Sequence, residues 1–327
     1  MAICHDLVVL STCCIASGLA SLAQGAVINI DDGETLTDTD MMAGSFMGQA
    51  FTVDSDTTFR VNSGGTLGPI GTPIIPPDPA IPFDMNGAQI KVRDGGYFAG
   101  RAINNMNATI RTGGTLAPFV LANTSVLNVR GGDVGHEYSN NGGTVNLYEG
   151  HIGDGYKANP GSVTNVRGGS IGNGFFTNGL SFVNISGGTV GTDYFARFGN
   201  RTTISGGSIG DFFRVPGGRV TMSGGSFDNR VLVYSGGRMT LCVASATIDG
   251  VPVALTENAT AITTRGGATL VVTFADGGTE DFTLNADLVF GQDLFENGAL
   301  YIKQIPTPGT SGLVVGAMLL GGVRRRR

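Results

Sequence analysis

Tryptophan is absent from the sequence, and only 14% of its 327 residues are charged. Cysteine is nearly absent too: Cys4, Cys13 and Cys14 lie in the first 14 residues, which leaves Cys242 alone in the rest of the chain. One thiol cannot form an internal disulfide, so backbone pairing and packing must hold the rest of the chain together. Between its two apolar ends the chain has no stretch with a helical period. No catalytic sequence motif stands out.

What is abundant is glycine. Fifty-four glycines and 12 prolines make about a fifth of the chain, and glycine that recurs at a period marks turns at fixed places. One phrase recurs six times: Asn128-Val-Arg-Gly-Gly-Asp-Val-Gly135, Asn146-Leu-Tyr-Glu-Gly-His-Ile-Gly153, Asn165-Val-Arg-Gly-Gly-Ser-Ile-Gly172, Asn184-Ile-Ser-Gly-Gly-Thr-Val-Gly191, Thr203-Ile-Ser-Gly-Gly-Ser-Ile-Gly210 and Thr221-Met-Ser-Gly-Gly-Ser-Phe-Asp228. The aligned glycines Gly132, Gly150, Gly169, Gly188, Gly207 and Gly225 are 18 or 19 residues apart. Counting back by 18 finds Gly114 and Gly96, and counting on by 19 finds Ala244. Such regularity means stacked, near-identical units.

The columns of the repeat have a physical reading. Three positions before the aligned glycine stand Val129, Leu147, Val166, Ile185, Ile204, Met222 and Leu241; two positions after it stand Val134, Ile152, Ile171, Val190, Ile209 and Phe227. The column Asn128, Asn146, Asn165, Asn184, Thr203, Thr221 and Thr240 is polar and flanked by apolar neighbours. This alternation is a half-buried strand with aliphatic side chains inward and Asn or Thr outward. A second glycine row, Gly142, Gly161, Gly199, Gly217 and Gly236, turns another corner. The expected fold is all-β: a right-handed parallel β-helix of about nine 18–19-residue coils over residues 90–248, roughly 40 Å long at the usual strand spacing, with β caps at both ends. Residues 26–89, with six prolines between 68 and 82, read as an irregular N-terminal cap with an exposed loop. Residues 249–304 read as a C-terminal β cap.

Both ends look like addresses. Leu7 to Leu22 is mostly apolar and closes on Ala23-Gln24-Gly25, so residues 1–25 read as a signal peptide, although no Lys or Arg precedes the run. Residues 305–327 begin at Pro306-Thr307-Pro308, continue through an apolar run from Gly312 to Val323 and end on Arg324, Arg325, Arg326 and Arg327. That run is shorter than the roughly 20 residues of a comfortable span, and its arginines would stay on the cytoplasmic side. The segment resembles the PEP-CTERM sorting tail of bacterial surface and matrix proteins, with Thr307 in place of the acidic middle residue. The resemblance implies export, transient membrane contact and an exosortase-like processing enzyme as partner. With its repeat and cap, the chain is similar to large exported β-helix proteins of bacteria such as planctomycetes. Without Asp6 and the four terminal arginines, the body holds 16 basic and 25 acidic residues, a formal −9 that argues against nucleic acid as partner.

Candidate chemistry is sparse. An aromatic column, Tyr138, Tyr156, Phe175, Tyr194 and Phe213, lies six positions after the aligned glycine. Turned outward it is a contact stripe for sugar rings; turned inward it is a core stack. His136, Asp154, Asn173, Asp193 and Asp211 follow one another near a corner, but their spacing departs from the calcium-binding β-roll and reads as a polar turn ladder. His136 and His151 are expected to be exposed, and Cys242, in an outward column, has no nearby histidine. No cofactor or metal is expected. Many polysaccharide lyases and hydrolases are parallel β-helices, yet their sites need clustered carboxylates that would break the repeat. The expected role is a structural or adhesive protein of the cell surface or extracellular matrix, in contact with extracellular polysaccharide or the cell envelope. The alternative is a carbohydrate-active β-helix enzyme.

Overall fold

The computed structural model describes residues 26–47, 49–50, 53, 55–70 and 83–305; the expected signal peptide and sorting tail lie outside them. The chain winds into a β-solenoid with three faces of stacked parallel strands. On the first face, Val27, Thr58, Gln89, Asn107, Val126, Thr144, Val163, Phe182, Arg201, Arg219 and Arg238 stand opposite one another on successive strands. The second face repeats shorter pairs, such as Thr115–Leu116, Ser170–Ile171 and Ser226–Phe227. The third runs from Phe83–Asp84 through Phe176–Thr177 to Leu294–Phe295. From Gln89 to Arg238 nine first-face strands enclose eight turns of chain, in agreement with the repeat.

The Gly-Gly phrase is the corner between the first two faces. In Val126–Val134, Phe182–Val190, Arg201–Ile209 and Arg219–Phe227 one nine-residue strand bends across both, with a register shift at the glycines. A bulge of this kind needs left-handed backbone and close stacking. Gly188 shows both: its φ is +72°, and a Cβ there would lie 2.6 Å from the Gly169 carbonyl oxygen.

Inward positions alternate with outward ones as the hydrophobic pattern requires. Leu127, Val129, Val145, Leu147, Val166, Ile185, Ile204 and Met222 are fully buried or nearly so. Each such side chain contributes about 1.5–3 kcal/mol. The aromatic column also turns inward. Tyr138, Tyr156, Phe175, Tyr194 and Phe213 are at most 1% exposed, and successive ring centroids are 4.6 to 5.8 Å apart. The outward reading of this column as a carbohydrate stripe is therefore corrected: its faces are spent on one another. Where the column carries tyrosine, the hydroxyl needs a partner in a dry interior. Tyr156 meets Thr164 and Tyr194 meets Thr202, each at 2.7 Å.

The N-terminal segment is more regular than its sequence. Val27, Thr58 and Gln89 are in register, so two further coils exist, each 31 residues long. The first accommodates the helix Asp38–Ala43, closed by a Thr37–Asp40 capping box, and the hairpin Ser45–Phe46 with Gln49–Ala50. Six residues are too few to show a helical period. At the other end, Ser245–Ile248, Val251–Pro252, Ala268–Thr273 and Thr279–Leu284 form an antiparallel sheet. The chain then adds Leu294–Phe295 to the third face and Leu300–Gln304 to the first, whose far edge pairs antiparallel with Thr260–Ala261. Phe282 packs edge-on between Phe227 and Phe295, sealing the core. Among the described residues no helix is long and apolar enough to cross a membrane.

Candidate functional site

The outward side chains of the first face fall into three columns. The middle column is a hydrogen-bonded ladder: Asn146 donates to Asn128 at 3.0 Å, Asn165 to Asn146 at 2.9 Å and Asn184 to Asn165 at 2.8 Å. A second ladder, along the end of the third face, links Asn104, Asn123, Asn141, Asn159 and Asn178 at 2.6 to 2.8 Å. Each side-chain amide between the ends of a ladder both donates and accepts, so the pattern propagates without a charged residue.

The flanking columns of the first face are basic. At the corner stand Arg93, Arg111, Arg130 and Arg167, with Tyr148 between the last two. The guanidinium carbons of Arg130 and Arg167 lie 4.1 and 5.0 Å from the Tyr148 ring centre, a cation–π sandwich. A cleft of about 470 Å³ opens among Arg93, Asp94, Arg111, Thr112 and Arg130. On the opposite border, farther along the rod, stand Arg201, Arg219 and Arg238. They line a groove of about 680 Å³ with Leu180, Phe182 and Phe198, which are 70%, 45% and 72% exposed. Arg60 and Lys91 precede the asparagine ladder in the middle column, and Lys303 stands opposite Cys242.

The third face carries cations of a different kind. Phe176 stacks on Phe195 at 5.3 Å; Arg197 covers both, Arg214 lies over Phe195 and Phe212, and Arg230 over Phe212. Here three of the charges are neutralised one coil away: Lys157 by Glu137, Arg214 by Asp193 at 2.7 Å, and Arg230 by Asp211. The Arg230 guanidinium holds the Asp211 carboxyl below the usual carboxylate range. These are ion pairs that fasten adjacent coils.

The remaining candidate residues are scattered. His136 is exposed and meets Phe119 edge-on at 4.6 Å, whereas His151 is half-buried and shares a 2.9 Å hydrogen bond with Ser170. Asp154 and Asn173 accept from backbone N–H groups one coil on, at 2.7 and 2.9 Å, so they form the polar turn ladder read from the sequence. Cys242 occupies an outward column but is buried at 7% exposure beneath the last strand, and burial pushes its thiol up. Glu280 and Asp293 bind the cap to the last coils: Glu280 accepts from the Phe227 N–H, and Asp293 from Val231 and Thr283. Burial pushes Glu280 up to about 7 and raises Asp293 in the same direction. Among the described residues no group of three or more His, Cys, Asp or Glu could hold a metal ion.

Pro306, Thr307, Pro308 and Arg324 to Arg327 lie outside the described residues. Compared with protein-family models, with curated proteins and with solved structures, the chain gives no match. The basic columns escaped the sequence reading because only Arg130 and Arg167 share a place in the repeated phrase. Arg201, Arg219 and Arg238 lie outside that phrase, three positions before its apolar column, and become a row only once the strands are in register.

Proposed function

We propose that this chain is an exported, non-catalytic structural β-solenoid, an adhesive rod of the cell surface or extracellular matrix delivered by a PEP-CTERM-like sorting route. The observation that carries the reading is the uniformity of the outward ladders, above all Asn128, Asn146, Asn165 and Asn184, each hydrogen-bonded to the next. A ladder repeats one contact along the rod, which suits a long polymer or envelope surface. A catalytic centre instead needs different groups converging on one point. Export and sorting rest on the residue patterns of the two ends, and an exosortase-like enzyme is the partner they imply. The competing role is a carbohydrate-active enzyme.

Incubating the full chain with a panel of polysaccharides, and scoring cleavage and retention separately, tests the proposal. Retention without new chain ends is the expected result. Release of shortened products would overturn it.

A further inference from the structure

The first face concentrates positive charge on an acidic body. Of the 16 basic residues between 26 and 305, ten point outward from it: Arg60, Lys91, Arg93, Arg111, Arg130, Arg167, Arg201, Arg219, Arg238 and Lys303. From Thr58 to Cys242 the one acid in register with its three outward columns is Glu149, opposite Arg130 at the corner bulge. Among the described residues these ten cations make one ion pair, Arg93 with Asp94 at 3.8 Å, both exposed. Like charges opposite one another in a sheet are destabilising. The third face relieves that cost with Glu137, Asp193 and Asp211, and the first face does not.

We infer that the first face binds a linear acidic polysaccharide running along the solenoid axis. The inference rests on the reading of the rod as a binding scaffold and names its ligand. Three features select this occupant. Eight of the ten cations are arginines, whose planar forks match carboxylates and sulfates in bidentate geometry. Arg93, Arg111 and Arg130 stand on three successive coils and Arg201, Arg219 and Arg238 on three more, and a coil advances about 4.8 Å, close to the length of one pyranose residue. A glycan with one anionic group per sugar therefore meets the corner column in phase, whereas a nucleic-acid duplex carries a charge about every 1.7 Å of its axis. Finally, the groove beside Arg201, Arg219 and Arg238 exposes Phe182 and Phe198, apolar platforms for the flat faces of sugar rings. Phe198 lies against Gly217, where a Cβ would come within 2.4 Å of the ring, so a glycine shelf sets its position.

The test is titration of the full chain with polygalacturonate, with its methyl-esterified form, with single-stranded DNA and with vesicles containing anionic lipid. Saturable binding to the polyuronate is expected, with affinity falling by about tenfold or more over a fourfold rise in salt. The ester, which keeps the backbone and loses the charge, should not bind. A triple variant R111Q/R130Q/R167Q should lose at least tenfold in affinity. Its thermal midpoint should stay close to that of the natural chain, because relief of like-charge repulsion offsets the lost cation–π contacts with Tyr148; R197E on the third face should bind as the natural chain does. Equal binding of acid and ester, equal loss in both variants, or tighter binding to DNA or vesicles would overturn the inference. Retention of neutral polysaccharides alone would overturn it and leave the scaffold intact. Cleavage of a bound polyuronate would support the ligand and sink the scaffold.

Discussion

The hydroxyls of Tyr156 and Thr164 meet at 2.7 Å in an interior that excludes water. Eight residues separate them, and the same offset joins Tyr194 to Thr202 at the same distance. In the coil between, Phe175 replaces tyrosine and Val183 replaces threonine, both fully buried. Across these three coils polar is matched with polar and apolar with apolar. Tyr156→Phe should therefore cost about 1–3 kcal/mol, because the Thr164 hydroxyl loses its partner. Adding Thr164→Val should recover most of the loss, which a double-mutant cycle by urea denaturation would measure. Additive losses would show that the pair is not coupled.

Phe175 lies between Tyr156 and Tyr194 at centroid distances of 4.9 and 4.6 Å. Phe175→Ala opens a void in the middle of the stack and should destabilise the chain by about 3–5 kcal/mol. Phe175→Leu should cost distinctly less. Chemical denaturation followed by circular dichroism reads both, and an alanine variant as stable as the parent would contradict the stacked core.

Glycines with the same backbone conformation should respond differently according to what lies above them. Gly188 and Gly250 both have positive φ, but a Cβ at Gly188 meets the next coil at 2.6 Å and one at Gly250 meets nothing within 4 Å. Gly250→Ala should cost about 1 kcal/mol of backbone strain. Gly188→Ala should cost at least twice that, since clash adds to strain. Thermal midpoints of the two variants decide the point.

Glu280 links pH to the C-terminal cap. The folded chain holds this proton up to a pH of about 7, well above the ordinary carboxylate value, and Asp293 is shifted the same way. The folded state therefore binds more protons than the unfolded one across that interval. Their contribution to stability is complete below the unfolded carboxylate pKa and is lost as pH climbs towards 7. Glu280→Gln keeps an oxygen for the Phe227 N–H and cannot ionise, so the thermal midpoint should fall less between pH 5 and 7.5. An unchanged pH profile would show that Glu280 is already solvated as a carboxylate.

Much of this molecule was legible in the sequence, and what was not has physical reasons. The period of Gly132 to Gly225 and the alternation around Asn128 specify strand, corner and inward face together, because each coil is a copy of the last. The two coils through Val27 and Thr58 were hidden because insertions stretch their turns to 31 residues, erasing the period while the register survives. The direction of the aromatic column was undecided because periodicity locates a side chain within a turn without saying which way the corner opens. Matching Tyr156 with Thr164 and Phe175 with Val183 would have decided it. The charge on the first face is a property of stacked strands, so it emerges only when distant residues such as Arg201 and Arg238 share a surface.

The even step from coil to coil has one more outcome. Residues 175–193 form one unit that carries Phe175 together with its matching Val183, and their removal would place Tyr194 next to Tyr156 without upsetting any Tyr–Thr match. That 19-residue deletion should unfold cooperatively as the parent does, while deleting the nine residues 175–183 should abolish the fold, as circular dichroism would show. Tandem duplication or loss of a coil-sized stretch of coding sequence would then lengthen or shorten the rod in whole steps. Its reach becomes a quantity that recombination can count, with the surface chemistry carried along unchanged.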